Sequence, residues 1–188
     1  QIILWIARRQ FGHRAEWADL VPLGLLTPNE YQGLRQVQDS LLQIRYALHA
    51  LTGRREDRLL FDYQRTLAQR FGYEDREARL AVEQFMQGYY RAACLLTHLN
   101  ELLLQLLQEN LLPHRDLAPR LALHPHFDQV NGYLEANRPS LFAEEPLALL
   151  ELFYTLQQHP DLQGIRGTTL RQAREASALI NAQFRADP

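Results

Sequence analysis

The chain has 188 residues, 46% of them apolar, and a formal net charge of −2. That length fits one domain, or one domain with a small appendage, with an apolar core that needs no disulfide, and the near-neutral balance gives no global field to draw in nucleic acid. All twenty basic residues are arginine, which excludes lysine chemistry of any kind, and no run of eighteen apolar residues is present to span a membrane.

In chain order, Ile2 to Phe11 reads as a first helix ending at Gly12. The chain opens on glutamine inside this amphipathic segment, and its only methionine is Met86, so it reads as a piece of something longer. Thr27-Pro28-Asn29-Glu30 predicts a helix start: Thr27 caps, Pro28 suits the first turn, and Glu30 completes a capping box. Tyr31, Leu34, Val37, Leu41, Ile44, Leu48 and Leu51 then recur at helical spacing until Gly53. Asp57 is placed to cap a helix running to Phe71, with Leu60, Tyr63, Leu67 and Phe71 as its apolar stripe. The longest helix is expected from about Arg76 to Asn110, started by Asp75 or its neighbour and closed by Pro113. Leu80, Phe85, Tyr89, Leu96, Leu103 and Leu107 mark its buried side. Cys94 falls in that apolar run and reads as a small core residue; a lone thiol agrees with a reducing, cytoplasmic compartment.

From Arg120 to Phe142 the helical period is lost, and Asn131-Gly132 suggests a short hairpin. Two helices finish the chain. One runs over about Pro146 to Gln158, with Leu147, Leu150, Phe153 and Tyr154 facing in. The other follows Gly167, is capped by Thr168 or Thr169, and continues to Arg185. The expected fold class is therefore all-α: a single helical domain over 1–188, a multi-helix bundle with one long central helix and an irregular or hairpin insertion near 120–142.

Chemistry-bearing motifs are sparse. There is no Gly-x-Ser-x-Gly, no glycine-rich phosphate loop, no His-Asp dipeptide, and no Gly-Ser followed by an Asp-x-Asp pair of the kind two-metal nucleotidyl transfer needs. The carboxylate pairs Glu56-Asp57, Glu74-Asp75 and Glu144-Glu145 read as helix-start charges. His124-Pro125-His126 could put two imidazoles on one ion but shows no third ligand at a recognisable spacing, so no metal site is assigned. What stands out is Arg45, His49, Arg54, Arg55, Asp57 and Arg58, around Gly53-Arg54-Arg55-Glu56-Asp57-Arg58-Leu59-Leu60-Phe61-Asp62. Two readings stay open: an ion-pair network joining two helix ends, or a basic face that touches a triphosphate or an acidic partner.

The stretch Arg45 to Asp62 resembles the most recognisable helical motif of the bacterial PII uridylyltransferase/uridylyl-removing enzymes. Leu4-Trp5-Ile6-Ala7 with Phe11-Gly12, Leu80 to Gln87 with Tyr89-Tyr90-Arg91, and Leu99-Asn100-Glu101 are similar to that family in the same order. So are Phe127 with Asn131 to Glu135, Pro146 to Phe153, and Gly164-Ile165-Arg166 followed by Thr169-Leu170-Arg171. The resemblance implies a larger bifunctional enzyme. One domain moves UMP from UTP to a tyrosine of the PII signalling protein, an HD domain removes it, and ACT domains sense glutamine.

This chain would be the helical domain between the first two, supporting the transferase site and linking it to the HD domain, with no catalytic residue and no cofactor of its own. Magnesium is expected for the full-length enzyme. The implied partners are PII, UTP and the flanking domains, with no nucleic acid and no membrane; apolar surface laid bare by excision would allow a homodimer. On this reading Arg45, His49, Arg54 and Arg58 face the nucleotide phosphates and Asp57 orients one arginine. The corresponding domain of a glutamine synthetase adenylyltransferase, or a free-standing helical interaction module, are the alternatives.

Overall fold

The computed structural model describes residues 2–11, 16–76, 79–111 and 119–177. The chain divides into two compact units, residues 1–103 and 104–188, where the sequence suggests one helical domain.

In the first unit, α1 (Ile2–Phe11) is followed by a 3-10 turn at Trp17–Leu20 and by α2 (Pro28–Thr52). The α2 start is the expected capping box. Thr27 Oγ1 accepts from the Glu30 N–H at 3.2 Å, and Glu30 Oε2 accepts from the Thr27 N–H at 2.8 Å. Such a cap contributes about 1 kcal/mol. The helix stops at Gly53, whose φ of +66° is a left-handed conformation that glycine adopts without strain.

Helix α3 (Phe61–Arg70) begins later than the sequence suggests, because Asp57 does not cap it. The N-cap is Leu60, with no side-chain bond. Helix α4 (Ala81–Leu111) also begins late, but Asp75 does cap it: its Oδ1 accepts from the Ala81 N–H at 2.7 Å. Ile44, Ala47 and Leu48 of α2, Leu67 and Ala68 of α3, and Ala81 and Phe85 of α4 form the core between these three helices. Phe71 stacks on Phe85 with centroids 5.7 Å apart. Leu60 and Leu80, assigned to buried stripes, are exposed, and so is Cys94. α4 carries apolar residues on more than one side, so its period does not single out a face. Gly12 and Pro113, the expected helix stops, lie outside the described residues.

The second unit overturns the all-α expectation. It holds a four-stranded mixed sheet in the order β1 (Leu121–His124), β2 (Phe127–Val130), β3 (Tyr133–Ala136), β4 (Gly164–Ile165). β1, β2 and β3 are antiparallel neighbours and β4 runs parallel to β3. The hairpin at Asn131-Gly132 is present. Val130 faces Tyr133 across a two-residue loop with φ of 53° and 81°, the type I′ signature. None of these four strands exceeds four residues, too short for alternation to announce a sheet. β4 joins only through a long connection that local pattern cannot reveal.

Helices α5 (Leu141–Glu144), α6 (Ala148–Gln158) and α7 (Gly167–Ala176) supply the rest of this core. Phe127, Leu134, Leu141, Phe142 and Leu152 are essentially inaccessible within it. α6 presents the opposite face from the one expected. Ala148, Leu149, Leu152 and Thr155 are buried, and Leu147, Leu150, Phe153 and Tyr154 are exposed. The helix is apolar nearly all round, and its packing partners, not its period, choose the face. α7 starts at Gly167 itself. Thr169 does not cap it but accepts from the Ala136 N–H of β3 at 2.9 Å. The expected continuation past residue 177 lies outside the described residues.

Candidate functional site

The charged segment after Gly53 has no regular secondary structure from Arg55 to Leu60. Arg54 and Arg58 both turn to Glu56, while Asp57 pairs with Arg45. Glu56 is buried, 5% exposed. Its carboxylate accepts from Arg54 Nη2 at 3.1 Å, from Arg58 Nε and Nη2 at 3.0 and 3.2 Å, and from the Arg58 backbone N–H at 3.1 Å. These bonds, the Arg58 side chain first, hold the Glu56 pKa down at about 2. The Arg58 guanidinium is pushed up in return, chiefly by its bond to Glu56.

Asp57 turns to α2. Arg45 and His49, one turn apart, share a helix face. Arg45 grips Asp57 with two bonds, Nε to Oδ1 at 2.7 Å and Nη2 to Oδ2 at 3.3 Å, and His49 Nε2 lies 3.4 Å from Oδ1. The Arg45 contact, then that of His49, lowers the Asp57 pKa below its ordinary value. The structure thus gathers the named residues into two adjoining groups, Arg45 with His49 and Asp57, and Arg54 with Glu56 and Arg58. Arg55 is exposed beside them.

Glu56, expected from the sequence as a helix-start charge, is instead the anchor of its group. The available signal was its place two residues from an arginine on either side. The Arg54 and Arg58 side chains remain 64% and 73% exposed while their anchor is buried. A guanidinium has five N–H donors and the carboxylate takes one or two, so each arginine keeps capacity for an oxyanion in a fixed orientation. Both carboxylates are engaged by guanidinium groups, so the cluster does not fit magnesium, which needs oxygen ligands of its own.

In the second unit, His124 and His126 converge on Glu151.

Residues 1–104 match the family described as GlnD PII-uridylyltransferase. The chain belongs to that family. Residues 127–188 match the uridylyltransferase GlnD third domain. The first match ends at 104, one residue past the end of the first compact unit at 103, and it contains the whole arginine cluster.

Among curated relatives, the bifunctional uridylyltransferase/uridylyl-removing enzyme of Pseudomonas aeruginosa is 46% identical over 187 residues. Those of Nitrosococcus oceani and Azotobacter vinelandii are 46% and 47% identical over 189. Each alignment covers 100% of this chain and 21% of the relative, so the chain spans about a fifth of the length of the proteins it matches. No solved structure matches it. Among the described residues, no helix is long and apolar enough to cross a membrane.

Proposed function

We propose that this chain works as part of a bifunctional enzyme that uridylylates and deuridylylates the PII nitrogen-regulatory protein in the cytoplasm. In that enzyme it supports the nucleotidyltransferase site and links it to the HD domain, without catalysis of its own. Arg45, His49, Arg54 and Arg58 face the phosphates of UTP, and Asp57 orients Arg45. Magnesium serves the transferase through carboxylates other than Glu56 and Asp57.

The observation that carries this reading is the arrangement of charge. Three arginines, Arg45, Arg54 and Arg58, pair with two carboxylates, and the carboxylates hold the guanidinium groups instead of cancelling them. A positive, pre-oriented face of this kind stabilises the charge that develops on phosphate oxygens during nucleotidyl transfer. Membership of a family whose relatives are named for uridylyl transfer and removal supports the choice of substrate.

The test is Arg45→Ala and Arg54→Ala in the full-length enzyme, with UTP affinity, UMP transfer and thermal stability measured together. Losing a charge-assisted bond to phosphate should weaken UTP use by roughly tenfold to a hundredfold. Unchanged affinity and turnover at unchanged stability would remove the phosphate role. A fall in stability alone would make the motif architectural.

A further inference from the structure

The hairpin between β1 and β2 closes on Pro125-His126, with His124 opposite Phe127 in the register. This turn is held from outside. The Asn137 backbone N–H donates to the His126 carbonyl at 3.0 Å, and Asn137 Nδ2 donates to the Pro125 carbonyl at 2.6 Å. The two imidazole rings stand 5.5 Å apart over the fully buried Phe127 ring. Glu151, from α6, brings its Oε2 to 2.7 Å from His126 Nδ1. One ligand atom from each of His124, His126 and Glu151 lies within 4.8 Å of the others, and all three residues are half-buried.

We propose that His124, His126 and Glu151 form a binding site for a divalent transition-metal ion of the zinc class. Two imidazole nitrogens and one carboxylate oxygen are a donor set that suits zinc, with the fourth position left to water. Ligands about 2 Å from a zinc ion stand roughly 3.4 Å apart, so small side-chain rotations close the set.

A simple ion pair would need only His126 and a carboxylate. His124, set beside them by the hairpin register, completes a ligand set. A further carboxylate lies on the far side of His126, where Nε2 is 3.3 Å from Glu145 Oε2. Glu145 is itself gripped by Arg138, which also reaches Glu144 at 3.5 Å. That chain, Arg138 to Glu145 to His126, fixes the imidazole and leaves Nδ1 for the ion, as outer carboxylates do at metal-bound histidines. Glu145 is a positioning residue here.

The experiment is zinc titration by calorimetry of the full untagged chain carrying Cys94→Ser, which removes the exposed thiol as a competing ligand. One zinc per chain is expected. His124→Gln and Glu151→Gln should each abolish that binding with an unchanged circular dichroism spectrum. Glu145→Gln should keep the stoichiometry and weaken affinity roughly tenfold. Absence of saturable zinc binding, or wild-type binding by His124→Gln, would overturn the site. Should the variants fail to fold, diffraction at the zinc edge from wild-type crystals soaked in zinc decides. A peak among the three side chains supports the site, and a peak elsewhere or none overturns it.

Discussion

Glu109 and Gly167 are joined by a hydrogen bond that spans fifty-eight positions of sequence: the Gly167 N–H donates to Glu109 Oε1 at 2.7 Å, with both residues buried. The bond puts a carboxylate at the start of α7, where the helix dipole favours negative charge. The same carboxylate accepts from Gln105 Nε2 at 3.1 Å and lies 3.7 Å from Arg166 Nε. Arg166 in turn donates to Glu135 of β3 at 2.6 Å, and its backbone N–H donates to the Leu134 carbonyl. One buried arginine thus joins the end of α4, the sheet and the start of α7.

Removing one partner of such a buried set leaves the others desolvated. Glu109→Ala should destabilise by about 3 kcal/mol, read as a lower urea midpoint. Gly167→Ala tests the close approach separately. A Cβ there would stand 3.0 Å from Leu106 Cδ2 and 3.4 Å from Glu109 Oε1, a fit that should cost about 1–2 kcal/mol.

The buried face of α6 is open to a direct comparison. Leu152 is inaccessible and Leu150 is 61% exposed, two positions apart on the same helix. Leu152→Ala should lose roughly 2–5 kcal/mol and Leu150→Ala no more than about 0.5 kcal/mol. Equal losses in denaturant unfolding would show that the helix packs by another face.

Acid stability should carry the mark of Glu56. Its carboxyl titrates at about 2 in the fold, against an ordinary value of 4.5. Above pH 4.5 it is ionised in both states and its stabilising contribution is complete. As pH falls from 4.5 toward 2, the unfolded chain takes up a proton that the folded chain refuses, so stability drops; below about 2 the contribution is gone. Asp57, also lowered, adds in the same direction below its ordinary 3.8. Glu56→Gln should flatten the fall of the melting temperature across that window, and an unchanged slope would refute the assignment.

Local rules made much of the first unit legible. Thr27, Pro28 and Glu30 announced the α2 start, Gly53 its end, and Arg45 with His49 their shared face, because each depends only on neighbours within a turn of helix. Asn131-Gly132 likewise marked its hairpin, since two consecutive positive φ angles need those residue types. The role of Glu56 was not legible, because the same residues fit a helix start as well as a carboxylate that accepts from an arginine on either side.

From sequence alone came the family, the start of α2 at its Thr27 capping box and its end at Gly53, and the shared face of Arg45 and His49. Folding in three dimensions decided the rest. It added the two-residue β4 beside β3, turned Leu152 inward and Leu150 out, buried Glu109 against Gly167, and brought Glu151 to the two histidines. Each of these joins segments at least twenty-five residues apart or selects one face of a uniformly apolar helix, and the energy that selects them is packing, which local periodicity does not record.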